Sequence, residues 1–549
     1  MNIVFMSSTK IRKKTPLLIL GLYALLLAIF FKHSLDYLDP DLGWHLKFGQ
    51  EIIEMADVPR VNAVNYTLSG YQWVDHEWLS NLVTYAVYAS AGYVALNLFF
   101  ALLALSAVLL QYRIARNFFF QEKSFALLVF FALQLFGAYA SLPSLGVRMQ
   151  EFTLLFLGVL LFIFYDYQKN PKGRVVWFLP PLLYLWSCLH GGFLLGLGLA
   201  FLFPAFKAAE AVLFKFRHFD FLSGRPLSFL EIRRFLFWSL LALASTSFTP
   251  YGLKLYSFLA SYRNDFYLGR IYEWFHQFRY PFFYPQLIFI LIVAAIWLWW
   301  ALRTFYFNRN KAIIRVSLWD VSLLAIFSVL AIRSRRHFPL LAMFSVPVTA
   351  SLLADFLNLK SQQWTDRFLK DRVLDRLVVV FLTLVFICSL SLQLVSAKFT
   401  LDPWKSFSHG YPYEAAKYLQ SHPEYSGRLF NEFNWGGYLI WVYPGRELFI
   451  DGRLPQVEYK GHSLLEEFYA VFEPGQAQEK LEEHDIEVVL LSAKKEEILP
   501  TWWEKRFFGI KESRAEDIPV TALEDYLGSS PDWFLVYQDE VSKVFVKGE

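Results

Sequence analysis

Two short segments gather carboxylates and imidazoles: DPDLGWHLKFG at 39–49 and WVDHEWLSNL at 73–82. Asp39, Asp41 and Glu77 are groups that can take a proton from an attacking hydroxyl, the work of a general base. Asp39, Asp41, His45 and His76 also form a mixed oxygen and nitrogen donor set that would suit a divalent ion. A third segment, RSRRHFP at 333–339, is dense in cationic donors: Arg333, Arg335, Arg336 and His337. Guanidinium forks match the charge and geometry of phosphate oxygens. Arg148 in GVRMQEF, His190 in LHGGF and Glu273 in IYEWFHQFRY are further polar points beside apolar runs. Each has a plain structural reading as well. Asp39 before Pro40 is helix-start chemistry, with Asp41 in the first turn, and Asp75 can cap a helix that carries Glu77 in its own first turn. The arginines can grip ordinary lipid headgroups.

The elements that must hold these groups follow from composition. The chain has 549 residues, 56% of them hydrophobic and 18% charged, with 57 Phe and 18 Trp. That much apolar surface calls for a bilayer as solvent. Apolar runs near 16–32, 93–111, 124–140, 149–166, 175–188, 192–206, 235–249, 285–302, 317–332, 338–356 and 377–396 read as about eleven transmembrane helices. The basic stretch before the first run has no small-residue cleavage site after it, so that run is expected to be retained. Lys and Arg concentrate in alternate connections, which sets the amino end in the cytoplasm and the tail outside. Loop 33–92 is then outside too, with an interfacial helix from 41 to 55 that places Trp44 at headgroup level. RSRRHFP falls on the outer side, against the general bias.

The net charge of +4 gives no case for nucleic acid as a partner, and two cysteines inside apolar runs make no disulfide framework. From about 399 to 549 charge rises and runs shorten. GRLFNEF, ELFIDGR, IEVVLLSA, DWFLVYQD and SKVFVKG read as strands, and SLLEEFYAVF and QAQEKLEEH as helices. The expected architecture is therefore a helical polytopic membrane domain over 1–398 and an extracytoplasmic α/β domain over 399–549. No Walker, H-E-x-x-H, G-x-S-x-G or G-x-G-x-x-G motif stands in a supporting context, and the glycines of WGGY and YPGR suit turns or close packing.

DPDLGWHL, WVDHEWL, LHGGF, TPYG, RRHFPL, WGGYLIW and LFIDGR together resemble a bacterial group within the GT-C superfamily of integral membrane glycosyltransferases. Met149 departs from that pattern where Pro is usual, and Cys188 and Thr249 where Asn is usual. The resemblance implies a multi-pass protein of the bacterial inner membrane that contributes to cell-envelope polysaccharide. It would transfer a sugar from a polyprenyl-phosphate donor to a glycan, lipid or protein acceptor at the outer face. Asp41 or Asp39 would be the base, with Glu77 as a second candidate. Arg335, Arg336, His337, Arg333 and Arg148 would meet the donor phosphate. His45, His76, His190 and Glu273 would complete the pocket. Two other readings use the same groups: a transporter or flippase of a lipid-linked sugar, and a non-catalytic assembly subunit.

Overall fold

The computed structural model describes residues 15–119, 124–214, 226–304, 316–368, 402–494, 499–512 and 519–548. Each apolar run from 16–32 to 338–356 falls on a helix, because a helix satisfies its own amides where water cannot. The run at 377–396 lies outside the described residues. Among the described residues, five helical stretches are long and apolar enough to cross a bilayer: Trp78–Phe119, Gln150–Lys169, Phe193–Leu213, Tyr284–Leu302 and Arg335–Ala354. Ile19–Leu35, Val129–Ser144 and Val175–Leu189 are shorter apolar helices.

The chain divides into two compact units. The first joins Met1–Tyr37, Asn97–Thr249 and Glu273–Phe399. In it the Phe338–Phe368 helix packs on Ser124–Ser141, Tyr284–Leu302, Leu318–Arg333 and Gln150–Lys169. A second cluster sets Leu179–Leu189 and Phe193–Leu213 against Phe229–Thr246. Its centre is aromatic, with the Phe203 ring 4.9 Å from Phe164, 4.6 Å from Phe235 and 5.3 Å from Trp319. LHGGF is the break between two of these helices. His190 is extended, the Gly192 N–H donates to its Nδ1 at 3.0 Å, and Thr153 Oγ1 lies 2.8 Å from the same nitrogen.

The second unit joins Leu38–Leu96, Pro250–Tyr272 and Thr400–Glu549. Its strands are β1 Arg428–Asn431, β2 Glu458–Tyr459, β3 His462–Ser463, β4 Ile486–Ser492, β5 Trp533–Gln538 and β6 Ser542–Lys547. They form a four-stranded sheet of order β1-β4-β6-β5 and a small β2-β3 hairpin. β1 runs parallel to β4, and β6 antiparallel to both β4 and β5. Phe430, Phe449, Phe468 and Phe472 fill one face.

Three local expectations are corrected here. ELFIDGR is not a strand: only Leu448 makes isolated bridges, to Leu429 and Asn65. The neighbouring backbone is held by a side chain instead. The Phe449 N–H donates to Asn431 Oδ1 at 3.0 Å, and Asn431 Nδ2 donates to the Ile450 carbonyl at 3.0 Å. The first outer helix begins at Leu42, so Asp41 rather than Asp39 stands at its N-terminal cap position, without the side-chain capping hydrogen bond to the first turn. Trp44 is not turned outward on an open helix face. It is 5% exposed, because its helix packs on a second helix, Gly436–Val442.

Candidate functional site

The first-loop acids sit on a seat made of backbone. Asp39 is buried and its Oδ1 accepts the Asp41 N–H at 2.9 Å, which turns the chain into the helix. Asp41 is only partly buried. A β-carbon on Gly452 would lie 2.2 Å from Asp41 Oδ1, and one on Gly437 would lie 2.3 Å from the Pro40 carbonyl oxygen. One on Gly43 would meet the Gly437 carbonyl at 2.0 Å. DPDLGW and WGGY therefore touch at main-chain distance, which glycine alone permits, and Gly452 of IDGR lies against the Asp41 side chain.

Behind that seat lies a dry ion pair. Arg453 Nη2 donates to Asp451 Oδ2 at 2.7 Å, and its Nε donates to Oδ1 at 2.9 Å. The same Nη2 reaches Asn62 and Asn65 in the first loop at 3.0 and 3.1 Å. The guanidinium lies 4.6 Å from the Phe48 ring centre and 4.6 Å from that of Trp73. Two charge-assisted bonds and two ring faces offset the cost of taking this charge out of water. Tyr251 of TPYG joins the same unit by donating to the Pro59 carbonyl at 2.6 Å.

His45, Asn81 and Asp75 form a buried relay. His45 Nδ1 lies 2.5 Å from Asn81 Oδ1, and Asn81 Nδ2 donates to Asp75 Oδ2 at 2.8 Å. Since the amide nitrogen faces the carboxylate, its oxygen faces the ring, and Nδ1 carries the proton. Burial holds the His45 pKa down at about 3, so the ring is neutral. Burial pushes Asp75 up to about 7, against opposing hydrogen bonds from Glu77 N–H and Asn81 and the charge of Arg453. The helix starts at Trp78, so Glu77 precedes its first turn. Glu77 is buried, with Oε1 3.6 Å from His76 Nε2, and the His76 ring packs near Phe258 and Tyr262 at 5.5 and 5.8 Å.

The metal set is corrected. Asp39, Asp41, His45 and His76 do not assemble into a ligand cluster among the described residues: His45 is committed to Asn81, and Asp39 to the Asp41 amide. Among the described residues, the group within reach of one ion is Glu467, Glu483 and His484. It fits a metal poorly. Lys480 Nζ already lies 3.0 Å from Glu467 Oε1 and 2.9 Å from Glu483 Oε2, and so supplies the positive charge. Burial alone would raise Glu467, but hydrogen bonds from His484, Lys480 and His462 hold it at about 2.

In the first unit, the cationic segment divides by role. Arg335 is buried. Its N–H donates to the Phe275 carbonyl at 3.1 Å and its Nη2 to the Arg279 carbonyl, so it staples the 275–279 loop. Arg333 is exposed at the end of the Leu318–Arg333 helix. Arg336 and Arg148 share one carboxylate, Glu273: Arg336 Nη1 lies 3.3 Å from Oε2, and Arg148 Nη1 binds Oε1. Burial would raise Glu273, but the two guanidiniums hold its carboxyl below the usual range. Arg336 lies 5.5 Å over the Trp274 ring, which stands 5.6 Å from the ring of His337. Sequence reasoning picked these residue types but missed Trp274 and the bridging role of Glu273. It also missed the fully buried pair Lys207–Glu210, 2.7 Å apart.

No family model matches the chain, and no curated protein matches it. Among solved structures it is similar to the crystal structure of ArnT from Cupriavidus metallidurans bound to undecaprenyl phosphate. The two are 13% identical with a TM-score of 0.48, over 97% of this chain and 98% of that one. At that score no residue role or ligand passes from one protein to the other.

Proposed function

We propose that the protein is a membrane glycosyltransferase. It moves a sugar from a polyprenyl-phosphate donor to an acceptor hydroxyl at the outer face, with Asp41 as general base. The motifs DPDLGWHL, RRHFPL and LFIDGR support the class. The observation that carries the choice of base is the contrast between the first-loop acids. Asp39 and Glu77 are buried, and Asp39 is spent on a backbone amide. Asp41 is only partly buried, and its carboxylate lies against Gly452, where a side chain would crowd it.

The step balances simply. Asp41 takes the acceptor's proton while the hydroxyl oxygen attacks the anomeric carbon. The bond from that carbon to the phosphate oxygen breaks, the lipid phosphate leaves with the electron pair, and the configuration inverts. In the first unit, Arg336, Arg148 and His337 are donors of the kind that a leaving phosphate requires.

The test uses purified protein in liposomes, a radiolabelled polyprenyl-phosphate sugar and candidate acceptors. Asp41→Asn is expected to lose about 10²- to 10⁴-fold in turnover with its melting temperature kept. Unchanged turnover in that variant would remove the assignment. Movement of the lipid-linked sugar across the bilayer without a transfer product would favour a transporter instead.

A further inference from the structure

The transfer step leaves LHGGF without a role, yet its histidine is held by a specific set of bonds. His190 lies in the break between the Leu179–Leu189 and Phe193–Leu213 helices and is partly exposed. The Gly192 N–H donates to its Nδ1 at 3.0 Å. A ring nitrogen that accepts a backbone N–H holds no proton of its own, so the ring is neutral and its single proton sits on Nε2. Thr153 Oγ1, 2.8 Å from the same Nδ1, must therefore donate to it. A third group aims that hydroxyl. The indole N–H of Trp186 donates to Thr153 Oγ1 at 2.9 Å, which uses the acceptor side of the oxygen and turns its proton toward the ring.

Two glycines make room for this chain of bonds. A β-carbon on Gly192 would lie 2.3 Å from Thr153 Oγ1 and 2.9 Å from His190 Nδ1, and one on Gly196 would lie 2.4 Å from the Trp186 ring. Trp186 and Thr153 are both buried, so water does not compete for their bonds. A histidine kept only for packing needs a single partner at Nδ1. Here a backbone amide and an aimed hydroxyl converge on that nitrogen, and the result is felt at the other edge of the ring, where Nε2 can only donate. That excludes two roles for His190, a base and a metal ligand, since each needs a bare nitrogen.

We propose that Thr153 and Trp186 are positioning residues that present His190 as an uncharged hydrogen-bond donor, and that its Nε2–H binds a phosphoryl oxygen of the polyprenyl-phosphate donor. A neutral N–H facing an anionic oxygen makes a charge-assisted bond. Its support also belongs to the piece of chain that carries another such donor. Thr153 stands early in the Gln150–Lys169 helix, which opens just after Arg148. The choice of ligand rests on the transferase reading. The tautomer is fixed by the Nδ1 contacts alone.

The test uses the full chain in lipid nanodiscs. With histidine labelled by 15N in the ring, the signals lost in His190→Gln identify the residue by solid-state NMR. A protonated Nε2 and a bare Nδ1 are expected at neutral pH, and a protonated Nδ1 overturns the proposal. Thr153→Val is expected to shift these signals, which a loss of packing alone would not do. Calorimetry then compares undecaprenyl phosphate, undecaprenol and inorganic phosphate. Glutamine carries an amide N–H near the place of Nε2, whereas asparagine reaches only that of Nδ1. His190→Gln and Thr153→Ser are therefore expected to bind undecaprenyl phosphate within about twofold of the parent, and His190→Asn and Thr153→Val about tenfold more weakly. Equal affinity in His190→Asn and the parent overturns the proposal. So does an equal loss with undecaprenol, which has no phosphate, or a loss seen with inorganic phosphate and not with the lipid. A parent that binds no undecaprenyl phosphate removes the transferase reading as well, whereas binding that none of the variants alters removes this inference alone.

Discussion

Arg453 and Arg428 both pair with an aspartate, and burial decides what each pair is worth. Arg453 and Asp451 are sealed from water, so Arg453→Ala leaves an uncompensated carboxylate inside the fold. The expected loss is about 3–5 kcal/mol, read as a collapse in folded yield or melting temperature in detergent. Arg428 and Asp485 are exposed at 3.3 Å, and Arg428→Ala is expected to cost less than about 1 kcal/mol. Glu273 makes a third case. It neutralises Arg148 and Arg336, so Glu273→Gln is expected to tighten binding of inorganic pyrophosphate several-fold by calorimetry. Unchanged or weaker binding would mean that the two arginines serve only the fold. The sequence offered the residue types at all these places. It did not show how Asp41 and Glu273 are held, because that depends on Gly452 and Arg336, which are far from those acids in the chain.

At the level of elements, glycine contacts separate what sequence can and cannot show. Gly437→Ala would drive a β-carbon into the Pro40 carbonyl, and a loss of about 1–3 kcal/mol is expected. Gly198, inside the Phe193–Leu213 helix, has nothing within 4 Å of an added β-carbon. There alanine is expected to be neutral or to raise the melting temperature slightly, since alanine favours the helix. The membrane helices were legible because long apolar runs dictate them. Gly436–Val442 was not read as a helix because it opens on two glycines, both poor helix formers. ELFIDGR looked like a strand because its apolar residues are β-formers, yet the Asn431 side chain takes the hydrogen bonds that a ladder would have used.

Across the whole molecule, acidity should act through buried carboxyls. Asp75 titrates near 7 when folded, against 3.8 for a free side chain, so the folded state holds the extra proton between those values. Stability from this group is complete below pH ~4 and is lost as pH rises toward 7. Asp75→Asn should flatten that decline, seen as a smaller fall in melting temperature between pH 5 and 7 than in the parent. Glu467 works the other way: its folded value of about 2 lies below 4.5, so its contribution is present above pH ~4.5 and fades as pH falls toward 2. The second unit draws on Leu38–Leu96, Pro250–Tyr272 and Thr400–Glu549, three stretches made at well-separated moments of synthesis. The acidic loop leaves the ribosome early and must wait until the glycines of the tail have been made. A chain stopped before residue 436 would insert its spans and still lack Gly437 and Gly452, which seat Asp41. Assembly of this centre is therefore a late event in synthesis, and termination before residue 436 leaves Asp41 without its glycine contacts however far upstream it lies.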